Sequence, residues 1–352
     1  MILQAIKFEN GVLKVIDQTL LPHKNKWVNL KTSADVTVAI KDMVVRGAGV
    51  IGNVGAYGAY FAAKEVNGGL IEYKKLAKIL RSARPTAVNL AWAVDRISEK
   101  IIKNPKNMVK IALEEAIKIE AEEIAGSKFI GEYGAHIIEK IYKKTKKTVN
   151  ILTHCNAGAL AILGYGSALA PIYISKERGI PVHVWVDETR PRNQGANLTA
   201  YELGFAGVSH TLIADNMGGL LMMRNMVDLC IVGADRVASN GDVANKIGTY
   251  LKALSAKEHG IPFYVALPTS TFDKTIENGS LIEIEERSQD ELLYMSGLGK
   301  NEKISSVFIA PKGTKALNYG FDITPSKLIT ELITEKGVCK PDKKEIEKLF
   351  VK

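Results

Sequence analysis

The sequence predicts an α/β fold, in which a mainly helical N-terminal domain precedes a domain built on a largely parallel sheet. Two patterns carry that reading. As far as about Thr148, apolar residues recur at helical spacing, most plainly in MVKIALEEAIKIEAEEIA and GAHIIEKIYKK. From Val149 onward, short apolar runs alternate with helical segments, the rhythm of βαβ units. Taken in order, the chain starts with a short β-like stretch from Ile2 to Ile16 and continues as helix. It then offers the strand candidates NILTH, PVHVWVD, TLIAD, DLCIVGA, PFYVALP and SSVFIAP, with turn signals at Gly179, Gly260 and Gly313.

A chain of 352 residues exceeds the roughly 250 to 300 residues at which single cores stop growing, so two domains are expected. The change of pattern puts the division near residue 148, giving a mainly helical domain with a short β start over 1–147 and a parallel-sheet domain over 148–352. With 46% apolar and 24% charged residues, the composition is that of a folded globular protein. No apolar run reaches the ~18 residues of a membrane span. The start MILQAIKFENG lacks the basic region, apolar core and cleavage site of a secretion signal, so a cytoplasmic protein with no membrane association is expected. Cys155, Cys230 and Cys339 are widely spaced and odd in number, which predicts thiols rather than a disulfide framework. The formal charge of +9 comes from lysines spread along helices. Its densest run, Lys143 to Lys147, is short and lacks interleaved aromatics, so the charge predicts attraction of anionic metabolites rather than nucleic-acid binding.

Five segments carry potential chemistry. In DLCIVGADRVASNGDVANKIGTY, an apolar run ends at Gly233, Asp235 follows at the strand's carboxyl end, and Asn245 and Lys246 sit where a helix could begin. In open α/β sheets ligands lie beyond the carboxyl ends of the strands, so these three side chains could face one substrate. In VVRGAGVIGNVGAYGAYFAA, Arg46 precedes closely spaced glycines beginning at Gly47. Glycine lets the backbone approach an anion and a helix start offers amides to a phosphate, but close helix packing through small residues gives the same pattern. In RPTAVNLAWAVDR, Arg84 precedes Pro85 at a helix start, either as a phosphate fork or as a surface residue. NILTHCNAGALA ends a strand with His154, Cys155 and Asn156 before a small-residue helix. A thiol there could exchange a proton with substrate or serve as a small buried hydrophobe. VDETRPRNQGANLTAYEL groups Asp187, Glu188, Arg190 and Arg192, which could bind sugar hydroxyls or form an ion-pair network that holds the loop, the network being favoured, with Gln194 before Gly195 as the ligand contact. His154, His183 and His210 lack metal spacing, so no metal is expected.

Taken together, RGAGVIG, RPTAVNLAWA, THCNAGALA, DETRPRNQGANLTAYEL and GADRVASNGDVANKIGTY resemble the 5-methylthioribose-1-phosphate isomerases. Their wider family includes ribose-1,5-bisphosphate isomerases and regulatory subunits of a eukaryotic translation-initiation exchange factor. The match runs in one order from about residue 10 to residue 340. It implies a Rossmann-like second domain, a homodimer, a sugar phosphate as substrate and no cofactor. By position, Cys155 and Asp235 match the family's catalytic pair. Arg46, Arg84, Gln194, Asn245 and Lys246 match its substrate-binding positions, and backbone amides near Gly47 and Ala48 would help hold the phosphate.

Two departures stand out. The family's usual RGAPAIG is RGAGVIG here, with Gly49 in place of a proline. Arg192 and Asn193 stand where methylthioribose enzymes commonly carry apolar residues. The implied reaction turns 5-methylthioribose 1-phosphate into 5-methylthioribulose 1-phosphate, a step of methionine salvage. Three alternatives remain: isomerisation of 5-deoxyribose 1-phosphate, isomerisation of ribose 1,5-bisphosphate, and a noncatalytic regulatory subunit of the same fold.

Overall fold

A computed structural model describes residues 2–66, 68–84 and 88–351. The chain divides into two compact units, one formed by Ile2–Ser127 with Gly158–Gly166, the other by Lys128–Ala157 and the chain from Ser167 onward.

The first unit opens with an antiparallel sheet of β1 (Ile6–Glu9), β2 (Val12–Ile16) and β3 (Trp27–Leu30) in that order. Helix α1 (Ser33–Lys41) starts on a capping box, in which Thr32 accepts from the Asp35 amide and Asp35 accepts from the Thr32 amide. Next come α2 (Ala48–Val66), α3 (Leu70–Arg81), α4 (Val88–Lys103) and α5 (Met108–Thr145). Helix α2 is buried continuously from Gly49 to Ala63. Its small residues let neighbouring helices close in: a β-carbon on Gly55 would lie 2.4 Å from Leu90 Cδ1 of α4. The two helical stretches read from the sequence are one continuous α5, and the division between units falls inside it.

The second unit continues through β4 (Val149–Thr153), α6 (Ala170–Glu177), β5 (Val182–Asp187), α7 (Ala200–Phe205), β6 (Ser209–Ile213), α8 (Gly218–Met223) and β7 (Leu229–Val232). It follows with β8 (Arg236–Ala238), β9 (Val243–Lys246), α9 (Thr249–Glu258), β10 (Phe263–Ala266), β11 (Phe272–Asp273) and α10 (Asp290–Leu293). It ends with β12 (Tyr294–Leu298), β13 (Ile304–Phe308), β14 (Phe321–Thr324), β15 (Glu331–Thr334), β16 (Gly337–Cys339) and α11 (Lys343–Lys348).

Among the described residues, the main sheet has seven strands in the order β16-β15-β10-β7-β4-β5-β6, all parallel to their neighbours except β16. Every residue of β7 and β10 is buried, as central strands covered on both faces require. A smaller sheet, β11-β8-β9-β14, holds the segment after β7.

Three expectations need correction. SSVFIAP does form a strand, β13, but it pairs antiparallel with β12 in a separate hairpin, and β15 takes the sixth parallel place. Apolar composition alone does not choose a partner. The residues after Cys155 form turns rather than a small-residue helix, and helix resumes only at Ala170. Asn245 and Lys246 end strand β9, and α9 begins beyond them, because Val243 to Lys246 pair with Phe321 to Thr324 of β14.

Candidate active site

The chain passes from β4 to β5 to β6 in one direction across the main sheet, then crosses back over β4 to β7 and proceeds outward through β10 to β15. This is the Rossmann strand order, and its direction reverses between β4 and β7. Cys155 follows the carboxyl end of β4 and Asp235 follows that of β7, so the two flank the crevice where open α/β sheets bind ligands.

Cys155 is buried and adopts φ +64°, a left-handed conformation that costs an ordinary residue about 1–2 kcal/mol. The surrounding hydrogen bonds hold it there. Its amide donates to Thr189 Oγ1 at 2.9 Å, and its carbonyl accepts from Thr199 Oγ1 at 2.6 Å. Thr189, itself at φ +65°, donates its hydroxyl to the Asp187 carbonyl at 2.9 Å. Asn156 extends the clamp to Thr199 and Glu202. Of the other thiols, burial pushes Cys230 far above its ordinary range and Cys339 up to about 11. Neither supplies a thiolate near neutral pH.

The Asp235 amide donates to the Ala244 carbonyl at 2.9 Å, which ties the end of β7 to the residue before Asn245. Its side chain is exposed. It lies within electrostatic reach of Arg287. Burial works against that guanidinium's charge, but Glu291, Glu285 and Asp235 together hold its pKa above the ordinary value. Asn245 and Lys246 are buried. Asn245 Nδ2 donates to Thr249 Oγ1 at 3.0 Å, while Lys246 Nζ donates to the Gly320 carbonyl at 2.8 Å and lies 4.2 Å from the centre of the Phe321 ring. Gln194 leads a π-helical turn, Gly195–Thr199, that ends at the clamp on Cys155. Its Oε1 is buried with no hydrogen-bond partner among the described residues, an unmet acceptor suited to a ligand hydroxyl.

The remaining predicted residues belong to the first unit. Arg46 is half-buried and precedes Gly47, whose φ of +89° turns the chain into α2 at Ala48. A β-carbon on Gly47 would stand 2.3 Å from Ala161 Cα, so glycine is required on two counts. The Val50 amide is taken by the Ala161 carbonyl, while the start of α2 keeps the amides and dipole that attract an anion. At Gly49 a β-carbon would meet Glu123 Oε1 at 2.2 Å, so the glycine makes room for that carboxyl. Glu123 accepts from Asn53 Nδ2 and the Leu163 amide, and burial pushes its pKa up to about 8. Arg84 is half-buried beyond α3. The helix start expected at Pro85 lies outside the described residues.

The charged loop after β5 is engaged within its own unit. Arg190 donates to the carbonyls of Pro191, Glu291 and Leu292, and Arg192 pairs with Glu291 at 3.3 Å. His154, Asp187 and Asp215 bring ligand-capable atoms within 4.8 Å of one another. Lys252 Nζ, however, sits 3.2 Å from Asp187 Oδ2, and Asp215 accepts the amides of Thr189 and Arg190 at 2.6 Å each. A protein cation and backbone donors therefore occupy the positions a metal would need. Thr189, Thr199, Lys252 and Arg287 were not singled out from the sequence, because their roles depend on partners distant along the chain.

The fold and these sequence blocks define a class: the chain belongs to the initiation factor 2 subunit family, whose model matches residues 45–341. Within it, the chain is 55% identical over 340 residues to a methylthioribose-1-phosphate isomerase from Sulfurimonas denitrificans, covering 96% of this chain and 94% of the relative. A methylthioribose-1-phosphate isomerase from Desulfosudis oleivorans is 49% identical over 345 residues, covering 96% and 94%. The crystal structure of 5-methylthioribose 1-phosphate isomerase from Pyrococcus horikoshii superposes with a TM-score of 0.86 at 37% identity, covering 99% of this chain and 95% of that one. That of translation initiation factor eIF-2B subunit delta from A. fulgidus superposes at 0.84 with 39% identity, covering 99% of both. No helix among the described residues is long and apolar enough to cross a membrane.

Proposed function

We propose that the protein isomerises 5-methylthioribose 1-phosphate to 5-methylthioribulose 1-phosphate, as a cytoplasmic homodimer of methionine salvage. The observation that carries this reading is the placement of Cys155 and Asp235 on the two strand ends that flank the sheet's reversal point. An aldose phosphorylated on its anomeric oxygen cannot open freely to the aldehyde, so the ring oxygen needs a proton as the ring breaks. Asp235 supplies it as general acid, with substrate displacing the water around its exposed carboxyl. Cys155 assists the transfer of hydrogen from C2 to C1, and the C2 hydroxyl gives up its proton as it becomes the ketose carbonyl, which balances the proton Asp235 donates. Arg46 and Arg84, with the Gly47 and Ala48 amides, act on the C1 phosphate through charge-assisted and helix-start hydrogen bonds. Gln194 and Asn245 act on sugar hydroxyls, and Lys246 supplies positive charge beside the reacting sugar.

The name of the A. fulgidus chain favours one second reading, a noncatalytic subunit of the same fold. Assaying ketose formation from 5-methylthioribose 1-phosphate, 5-deoxyribose 1-phosphate and ribose 1,5-bisphosphate separates these readings. The first should give the highest kcat/KM. Preference for either of the others reassigns the C5 substituent, and absence of turnover on all three favours the noncatalytic subunit. Sedimentation velocity at micromolar concentration should give a dimer.

A further inference from the structure

Cys155 follows the carboxyl end of β4 in the main sheet, whereas Asn245 and Lys246 end a strand of the smaller one. The strands that carry them, β4 and β9, share no ladder. Main-chain pairing between these strands therefore does not fix where the thiol lies relative to the Asn–Lys pair. A buried side chain joins them. His154, immediately before Cys155, has a fully buried side chain. Its Nδ1 lies 2.9 Å from Asp187 Oδ2, and its Nε2 lies 2.8 Å from the carbonyl oxygen of Ile247, the residue after Lys246. A carbonyl only accepts, so Nε2 is the donor.

We propose that His154 is a positioning residue for the isomerisation, which locks the Cys155 turn to the strand end carrying Asn245 and Lys246 by bridging Asp187 and the Ile247 carbonyl. The proposal rests on reading those three residues as parts of the reacting site.

Both ends of the bridge are themselves held. Asp187 closes β5, takes the Lys252 ammonium of α9 on the same oxygen, and through its carbonyl anchors the Thr189 hydroxyl that holds the Cys155 amide. On the other side, Asp322 of β14 accepts the amides of Gly248 and Tyr250, fixing the turn that presents the Ile247 carbonyl. Burial raises the Asp322 pKa, while those two amides and the nearby His154 and Lys252 draw it back. Burying such a set of ionisable groups is costly unless every bond is well made, and apolar replacements often stabilise a fold equally well. A geometric task is what a hydrophobic residue at 154 could not perform.

Two amide substitutions separate the arms of the bridge. His154→Gln places a donor near the position of Nε2 and can keep the Ile247 bond. His154→Asn reaches only as far as Nδ1 and loses it. Because a misplacement of about 1 Å can cost ~100-fold in rate, kcat should fall on the order of 100-fold in His154→Asn and about ten-fold in His154→Gln, with KM within about three-fold of wild type in both. Iodoacetamide should alkylate Cys155 faster in the Asn variant than in the Gln variant. Equal kcat and equal alkylation in the two variants, or losses that only follow Tm, would overturn the proposal. If Cys155→Ser keeps wild-type turnover, the catalytic reading of the thiol fails, while the alkylation contrast still decides whether the tether exists. Should neither His154 variant fold, native-state hydrogen exchange of the wild type decides. The Cys155 and Gly248 amides should open together with one free energy, and opening of Gly248 alone would refute the lock.

Discussion

The turn at Arg46–Gly49 and the turn at His154–Asn156 each rest on a left-handed residue, but they reach it by opposite means. Gly47, at φ +89°, adopts the conformation without penalty and opens a 19-residue helix, and a helix start is the kind of position that favours an anion. Cys155, at φ +64°, carries a side chain and is held by Thr189 and Thr199, which lie 34 and 44 residues further along the chain. A phosphate cradle can be made from local backbone alone. A poised thiol needs distant residues to hold it against its own conformational preference, as strained positions at functional sites generally do.

If the two turns divide the work this way, substitutions near the strand ends should act on turnover and those near the helix start on binding. The largest effect belongs to Asp235→Asn, which removes the proton donor while keeping the bulk. It should lower kcat by about 10²- to 10⁴-fold and leave Tm unchanged, since the side chain is exposed. Wild-type turnover in steady-state assays would exclude the acid role. Cys155→Ser should lower kcat by roughly 100-fold. In the wild type near neutral pH, iodoacetamide should label Cys155 ahead of Cys230 and Cys339, whose thiols burial keeps protonated. Bound substrate should slow that labelling, and complete labelling with activity intact would make the thiol structural.

Arg46→Ala and Arg84→Ala should each raise KM by roughly ten-fold or more for all three candidate sugar phosphates, the loss of a charge-assisted bond worth about 1.5–3 kcal/mol. An effect confined to ribose 1,5-bisphosphate would move that arginine to a second phosphate. An unchanged KM in both variants would break the comparison altogether.

The smallest effect is expected at Glu123, whose folded-state pKa of about 8 lies above its ordinary 4.5. The folded protein keeps this proton to higher pH than the unfolded chain does. The stability contributed is thus fully present below about pH 4.5 and lost as pH rises through about 8. Glu123→Gln should flatten the fall in Tm across that window. Parallel melting curves from pH 5 to 8.5 would show that the carboxyl is not held neutral beside Gly49.

Much of the fold was legible because it repeats over short distances. Helical spacing located α5, and the β-then-helix rhythm located five strands of the main sheet, since both depend on which face of a local element meets the core. The turn at Gly47 into a helix at Ala48 was legible for the same reason: a glycine turn followed by a helix start is a local arrangement. SSVFIAP shows the limit, because its apolar residues suit a parallel strand and an antiparallel hairpin equally well, and only pairing with β12 decides. The helices expected after Cys155 and at Asn245 failed similarly. The segment from Asn156 to Leu169 folds as turns, and Val243 to Lys246 find a ladder in β14.

The sequence by itself determined where helices and strands could form, and its five ordered motifs carried the family resemblance, because both are properties of neighbouring residues. Only the tertiary structure decided that β4 and β7 lie side by side with the crossing of the chain between them. It also decided that Thr189 and Thr199 clamp Cys155, and that His154 reaches Asp187 and the Ile247 carbonyl, 33 and 93 residues away. Such contacts join groups across long loops. Their geometry exists only once the sheet has assembled and excluded water from the buried polar atoms, so no local pattern encodes it.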